Sequence, residues 1–317
     1  MLMGMPCRGP SFAPSGHGLF SRLGIATRLL GHHLAKGIEL GLRALNGLQD
    51  GVDILDSLRM LRYVASMFSL PILAALATVA VVTSFISGIF GMAGGMLLIG
   101  FLLVLLPVPV AMVFHGVIQI SANSWRAWLW REHVKWSVVL QFGAGAVASL
   151  LAFSSLNFVP PKSLVLMTVG LMPFLALAVP PRFAPNIERP GQAFLAGVIG
   201  GALQLVSGIT GPILDIFYVR TGMTRQVNVA TKAAAQVLGH LTKVVYFGAL
   251  IANPAGRDLE QWLVMAFAAA FAVLGTSLSR SFLDRLSDKQ FYHWTRRIIL
   301  ALGVVYIGQG IWQMVYP

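Results

Sequence analysis

Ser87-Gly88-Ile89-Phe90-Gly91-Met92-Ala93-Gly94-Gly95 interrupts an apolar run that holds no Asp, Glu, Lys or Arg between Arg62 and Arg126. Its four glycines disfavour a continuous helix, by roughly 1 kcal/mol each relative to alanine. Backbone that leaves the helix at membrane depth is tolerated only where protein buries it or where it lines a cavity. One such break is equally compatible with close helix packing through small residues. A cousin returns later as Ser207-Gly208-Ile209-Thr210-Gly211-Pro212, and that recurrence favours a paired site.

Composition sets the solvent. Of 317 residues, 56% are hydrophobic and 11% are charged, whereas an ordinary soluble domain carries about 25% charged residues. The expected fold class is an all-α polytopic membrane protein, with the lipid bilayer as its main partner. The net charge of +12 would suggest nucleic acid in a soluble chain. Here the cations sit in the N-terminal region and the short connections, where a topology signal and anionic lipid account for them, and nucleic acid is not expected. The only cysteine is Cys7, which excludes an intramembrane disulfide or thiolate metal cluster. No metal or cofactor is expected.

Two regions follow from the pattern. Residues 1–66 read as an extension. Apolar Leu19, Leu23, Ala26, Leu30, Leu34 and Ile38 recur at helical spacing with Arg22, Arg28 and Lys36 between them, which suits an amphipathic interfacial helix. No acidic residue precedes Glu39, so an organellar transit peptide is the minority alternative. Residues 67–317 read as a membrane transport domain with ten apolar stretches. Five lie at about 69–88, 92–107, 109–130, 136–157 and 163–180; five more lie at about 192–210, 212–219, 226–252, 260–279 and 297–315. Met92–Leu106 would be about 22 Å long as a helix, short of a ~30 Å hydrocarbon core. The second and seventh stretches are therefore expected as half-helices, and the other eight as transmembrane helices.

The halves, about 69–181 and 190–316, read as tandem repeats. Val110–Arg126 lies without gaps over Val227–Lys243, setting His115 against Lys232, Gln119 against Gln236, Asn123 against His240 and Arg126 against Lys243. Glycine-interrupted segments at corresponding places in two halves point to a transporter's binding site. Basic connections at Arg126–Lys135 and Arg280–Arg297 are expected on the cytoplasmic side. The first follows the third stretch of its half and the second follows the fourth, an offset that favours inverted repeats.

Intramembrane polar residues are expensive and point to function. His115, Gln119 and Asn123 share one helical face, as do Lys232, Gln236, His240 and Lys243. The half-helices would aim unpaired N–H groups into the same space, a setting that favours anions. The candidate substrate-binding set is Ser87, Gly91, Gly94, Gly95, Gln119, Ser207, Thr210, Gly211, Lys232, Gln236 and Lys243. Asp215, His115 and His240 are the candidates for coupling. Against this, the glutamines serve equally as interhelical glue, and Asp215 with Lys232 as a static ion pair. Arg126 is expected to snorkel to the interface, with Lys243 a second candidate for that role. The seven tryptophans suit an aromatic belt.

These features resemble the TauE/SafE sulfite exporter family. The likeness rests on Ser87–Gly95 with Pro107 and Pro109 after it, on Ser207–Pro212, and on the two-half layout, over roughly residues 69–315. It implies a multi-pass inner-membrane protein that exports sulfite, a related oxyanion or an organosulfonate, the anion sitting between the glycine-broken helices. One departure stands out: the second motif runs directly into Pro212-Ile213-Leu214-Asp215, and an acidic residue is unexpected at an anion site.

The leading expectation is a secondary transporter of a small sulfur-containing anion, without covalent chemistry. The alternatives are a proton- or cation-coupled carrier of another small organic anion through Asp215 and His115 or His240, and a non-catalytic structural membrane partner. An intramembrane enzyme is disfavoured because H-E-x-x-H, G-x-S-x-G and paired-acid motifs are absent. The composition is also compatible with a homo-oligomer.

Overall fold

A computed structural model describes residues 70–90, 92–251, 259–283 and 288–316. The extension 1–66, its expected interfacial helix and Gly91 lie outside the described residues. Among them the α-helices are α1 (Leu70–Phe90), α2 (Ala93–Leu105), α3 (Val108–Leu129), α4 (Trp136–Ser154), α5 (Lys162–Ala178), α6 (Gln192–Ser207), α7 (Gly211–Tyr218), α8 (Arg225–Val245), α9 (Leu259–Leu283) and α10 (Asp288–Val315), with no strand among the described residues.

The boundaries follow local chemistry. Leu106 is extended, with φ −126°, as the residue before a proline prefers. Pro107 caps α3, and Pro109 sits in its first turn, where a missing N–H costs nothing. The Thr224 hydroxyl accepts the Val227 N–H at the start of α8. A π-turn, Tyr246–Leu250, follows α8.

Among the described residues, four helices are long and apolar enough to cross a membrane, over Pro71–Phe90, Trp136–Ser154, Gln261–Ser279 and His293–Val315. α5 and α6 are shorter and apolar. α3 and α8 have the length of a span, 22 and 21 residues, but carry the polar faces. The half-helices α2 and α7 have 13 and 8 residues, about 20 and 12 Å at 1.5 Å per residue. Large apolar side chains including Val104, Leu140, Leu151, Val304 and Trp312 face outward, as expected of a surface that meets lipid.

Packing ties the early helices to the late ones. α4 lies along α6 and α1 along α9; α3 rests on α8 and α5 on α10; α9 also touches α3, α4 touches α8, α7 touches α5 and α2 touches α10. The main core gathers Met96, Ile99, Met112, Phe114, Tyr246, Phe247 and Met265, and a smaller one gathers Phe142, Ala196, Leu214 and Phe217.

At one rim a polar clasp joins three connections. Glu188 accepts from Lys135 Nζ (2.5 Å) and from the Gly222 N–H (2.8 Å), while the Lys135 N–H donates to Thr231 Oγ1 (3.0 Å). The Lys135 ammonium, helped by the Gly222 amide, holds the Glu188 carboxyl below the usual carboxylate range. The clasp is therefore intact at neutral pH and loosens as pH falls through that lowered range.

Candidate functional site

The two breaks meet. α1 ends at Phe90 and Met92 caps α2; after Ser207 the chain turns through Gly208 and Ile209 to Thr210, which caps α7. A Cβ added at Gly211 would stand 2.5 Å from Met92 Cβ, so the half-helices abut at their N-terminal ends.

Around this junction lies an open cavity of about 710 Å³. Ser87, Phe90 and Met92 of the first break and Gly211 and Pro212 of the second line it. So do Asp215 and Tyr218 of α7, Lys232 and Gln236 of α8, Arg126 of α3 and Arg296 of α10. Lys232 Nζ is paired with Asp215 Oδ1 and lies 5.7 Å from the centre of the Tyr218 ring. Arg126 donates to Asn123 Oδ1 (3.3 Å) and Ser87 Oγ (3.4 Å). It has no carboxylate partner among the described residues. Arg126 thus differs from its sequence expectation: it turns toward the cavity because Asn123, one turn earlier, and Ser87 across α1 supply acceptors there.

The remaining candidates form a second, closed cluster. His115 is fully buried and lies 3.0 Å through Nε2 from the Gly95 carbonyl oxygen. A carbonyl can only accept, so Nε2 carries the proton and Nδ1 is left to accept. Lys243 Nζ, also fully buried, donates to that Nδ1 (2.7 Å) and to the Gly208 carbonyl oxygen (2.8 Å). Lys243 is therefore a buried strut between the breaks, and the snorkelling alternative fails for it. His240 stacks obliquely on His115 at 5.4 Å and takes a 2.5 Å hydrogen bond on Nδ1 from the Gln204 amide. Gln119 packs on Gly95, where a Cβ would fall 2.7 Å from its Nε2. Ser207 Oγ is held by the carbonyls of Leu203 (2.7 Å) and Ile209 (3.0 Å), and Thr210 is buried. Gly94 packs α2 on α1: a Cβ there would strike the Thr83 carbonyl oxygen and the Ser87 N–H.

The candidate set thus divides. Ser87, Gly211, Lys232, Gln236 and Asp215 border the cavity, whereas Gly94, Gly95, Gln119, Lys243, Ser207, Thr210, His115 and His240 belong to the packed cluster behind it. Asp215 is not assembled with the two histidines, and no group of three His, Cys, Asp or Glu among the described residues is placed to hold a metal ion. Sequence reasoning missed Gln204. Its signal was available, since it is an amide inside the apolar run Gly200–Val206, three residues before Ser207.

Gly208 illustrates why a glycine is needed at the second break. Its φ is +79°, a region that costs other residues about 1–2 kcal/mol, and a Cβ would meet Met112 Sδ at 2.7 Å. Gly208→Ala is expected to lower stability by about 1–3 kcal/mol, read from thermal unfolding in detergent. Unchanged stability would contradict the role given to this turn.

A helical bundle rich in apolar helices, with two short helices meeting at their broken ends beside a charged cavity, suits a polytopic membrane transport protein. The family model described as Sulfite exporter TauE/SafE matches residues 76–307, and the chain belongs to that family. No curated protein and no solved structure matched the chain.

Proposed function

We propose that this chain is a secondary transporter of the inner membrane that exports a small sulfur-containing anion, sulfite or a related oxyanion or organosulfonate. The observation that carries the reading is the cavity shared by both glycine breaks, with Arg126 free of any carboxylate among the described residues. In this reading Arg126 and Lys232 supply charge, Gln236 and Ser87 supply neutral donors, and the N-terminal end of α7 at Gly211 supplies a backbone amide. Gly91 lies beside them in sequence. The buried cluster of His115, Lys243, His240 and Gln204 acts as a fixed wall that ties the two breaks together behind the cavity.

The same proposal takes the helices as eight spans and two half-helices in inverted repeats. If α1–α5 are superposed on α6–α10 in order, the principal contacts map onto one another. The α4–α6 pair exchanges with α9–α1, α9–α3 exchanges with α4–α8, and α3–α8 and α5–α10 map onto themselves. α3 and α8 also run antiparallel, because His115 meets Lys243 at one end while Arg126 and Lys232 flank the cavity at the other. Equivalent helices that run antiparallel favour a two-fold axis in the membrane plane.

A thermal-shift panel on purified protein tests the reading. Sulfite, thiosulfate or sulfoacetate at a hundredfold excess over Kd is expected to stabilise the protein by about 2.7 kcal/mol. A shift with carboxylates alone would instead favour the carrier of another organic anion. No shift with any anion would favour the structural membrane partner.

A further inference from the structure

Among the described residues, the cavity holds three cations, Arg126, Lys232 and Arg296, and one carboxylate, Asp215. That carboxylate is not in the wall behind the site. It stands on α7 one turn past the broken end, borders the cavity, and is ion-paired with Lys232. The side chains of the pair remain 35% and 29% accessible, so a small solute can reach both partners. An anion gathered by Arg126 and Lys232 would meet this carboxylate as a like charge beside it.

We infer that Asp215 is a tethered competitor for the anion: its carboxylate occupies Lys232 while the cavity is empty and is displaced from it when the substrate binds. The inference rests on the anion-transport reading above. It accounts for an acidic residue at an anion site by charge balance. A partly buried ammonium is costly when unpaired, and the Asp215–Lys232 pair satisfies it in the empty protein without a bound ion. The competitor also sets affinity. A substrate must outbid an intramolecular carboxylate, so it binds less tightly than to three free cations, and recapture of Lys232 by Asp215 helps to expel it. Asp215 therefore determines which anions are accepted, favouring those compact or charged enough to win Lys232, and it trades affinity for release.

The test is calorimetric binding of sulfite together with efflux from proteoliposomes, comparing wild type, Asp215→Asn, Asp215→Ser, Lys232→Gln and the double variant Asp215→Asn/Lys232→Gln. Both Asp215 variants are expected to bind sulfite about tenfold more tightly or better, and to reach a lower maximal flux with a lower half-saturating concentration. Two replacements of different shape guard against a folding defect in one of them. The gain should vanish when Lys232 is also replaced, because the two residues act through one contact. If the pair is only a structural brace, Asp215→Asn and Asp215→Ser will bind sulfite equally or more weakly, and the inference is overturned while the anion reading stands. If wild type and every variant fail to bind sulfite, thiosulfate and sulfoacetate alike, the anion reading falls and the competitor falls with it.

Discussion

Replacing Lys243 with methionine is expected to lower the unfolding free energy by about 2–5 kcal/mol and to abolish transport. Its Nζ links the two halves of the broken core, bonded to His115 Nδ1 from one side and to the Gly208 carbonyl oxygen from the other. Methionine fills most of the volume, so the loss is not chiefly one of packing. It leaves two buried acceptors without donors, each worth about 1–3 kcal/mol, in a place water does not reach. Relief from burying a cation works in the opposite direction. The two orphaned acceptors outweigh it, because Gly208 sits in a left-handed turn that cannot rotate its carbonyl toward another donor. A double cycle with His115→Phe separates the terms: contact across 2.7 Å predicts a coupling of about 1–2 kcal/mol. Additive losses in thermal unfolding would show that the strut is not a unit.

Arg126→Gln is expected to leave the fold intact and to weaken binding of the sulfur anion by about 10- to 150-fold. Hydrogen bonds to a charged group are worth about 1.5–3 kcal/mol, and 1.4 kcal/mol is a factor of ten. The fold should survive because Arg126 is only half-buried and its two hydrogen bonds, at 3.3 and 3.4 Å, are long. Arg126→Lys should recover part of the loss, since lysine keeps the charge but not the planar fork that matches an oxyanion. Calorimetric titration with sulfite checks both. Binding by Arg126→Gln at wild-type strength would remove Arg126 from the site.

Much of this architecture is written in side-chain periodicity and glycine spacing. The two breaks announce half-helices because four glycines in one stretch, and Gly208 with Gly211-Pro212 in the other, are local obstacles to a helix. The shared faces of α3 and α8 were legible for the same reason, from polar residues three or four apart. What periodicity does not encode is depth. Lys232 and Gln236 share a face with His240 and Lys243, but Lys243 lies eleven residues beyond Lys232, about 16 Å along the axis. The first pair therefore borders the cavity, and the second pair is sealed between the breaks. Arg126 was misread for a related reason. Its place near the end of an apolar run resembles a snorkelling cation, and only the tertiary contact with Ser87, thirty-nine residues earlier, turns it inward. The Gln204–His240 bond is likewise invisible until α6 is packed near α8.

Efflux of radiolabelled sulfite from proteoliposomes is the most direct test of a sulfur-anion transporter built around these two breaks. The account predicts efflux clearly above that of protein-free liposomes for wild type, and at least about tenfold slower efflux for Arg126→Gln at concentrations below saturation. Efflux indistinguishable from protein-free liposomes for sulfite, thiosulfate and sulfoacetate, with wild type properly folded, would contradict it.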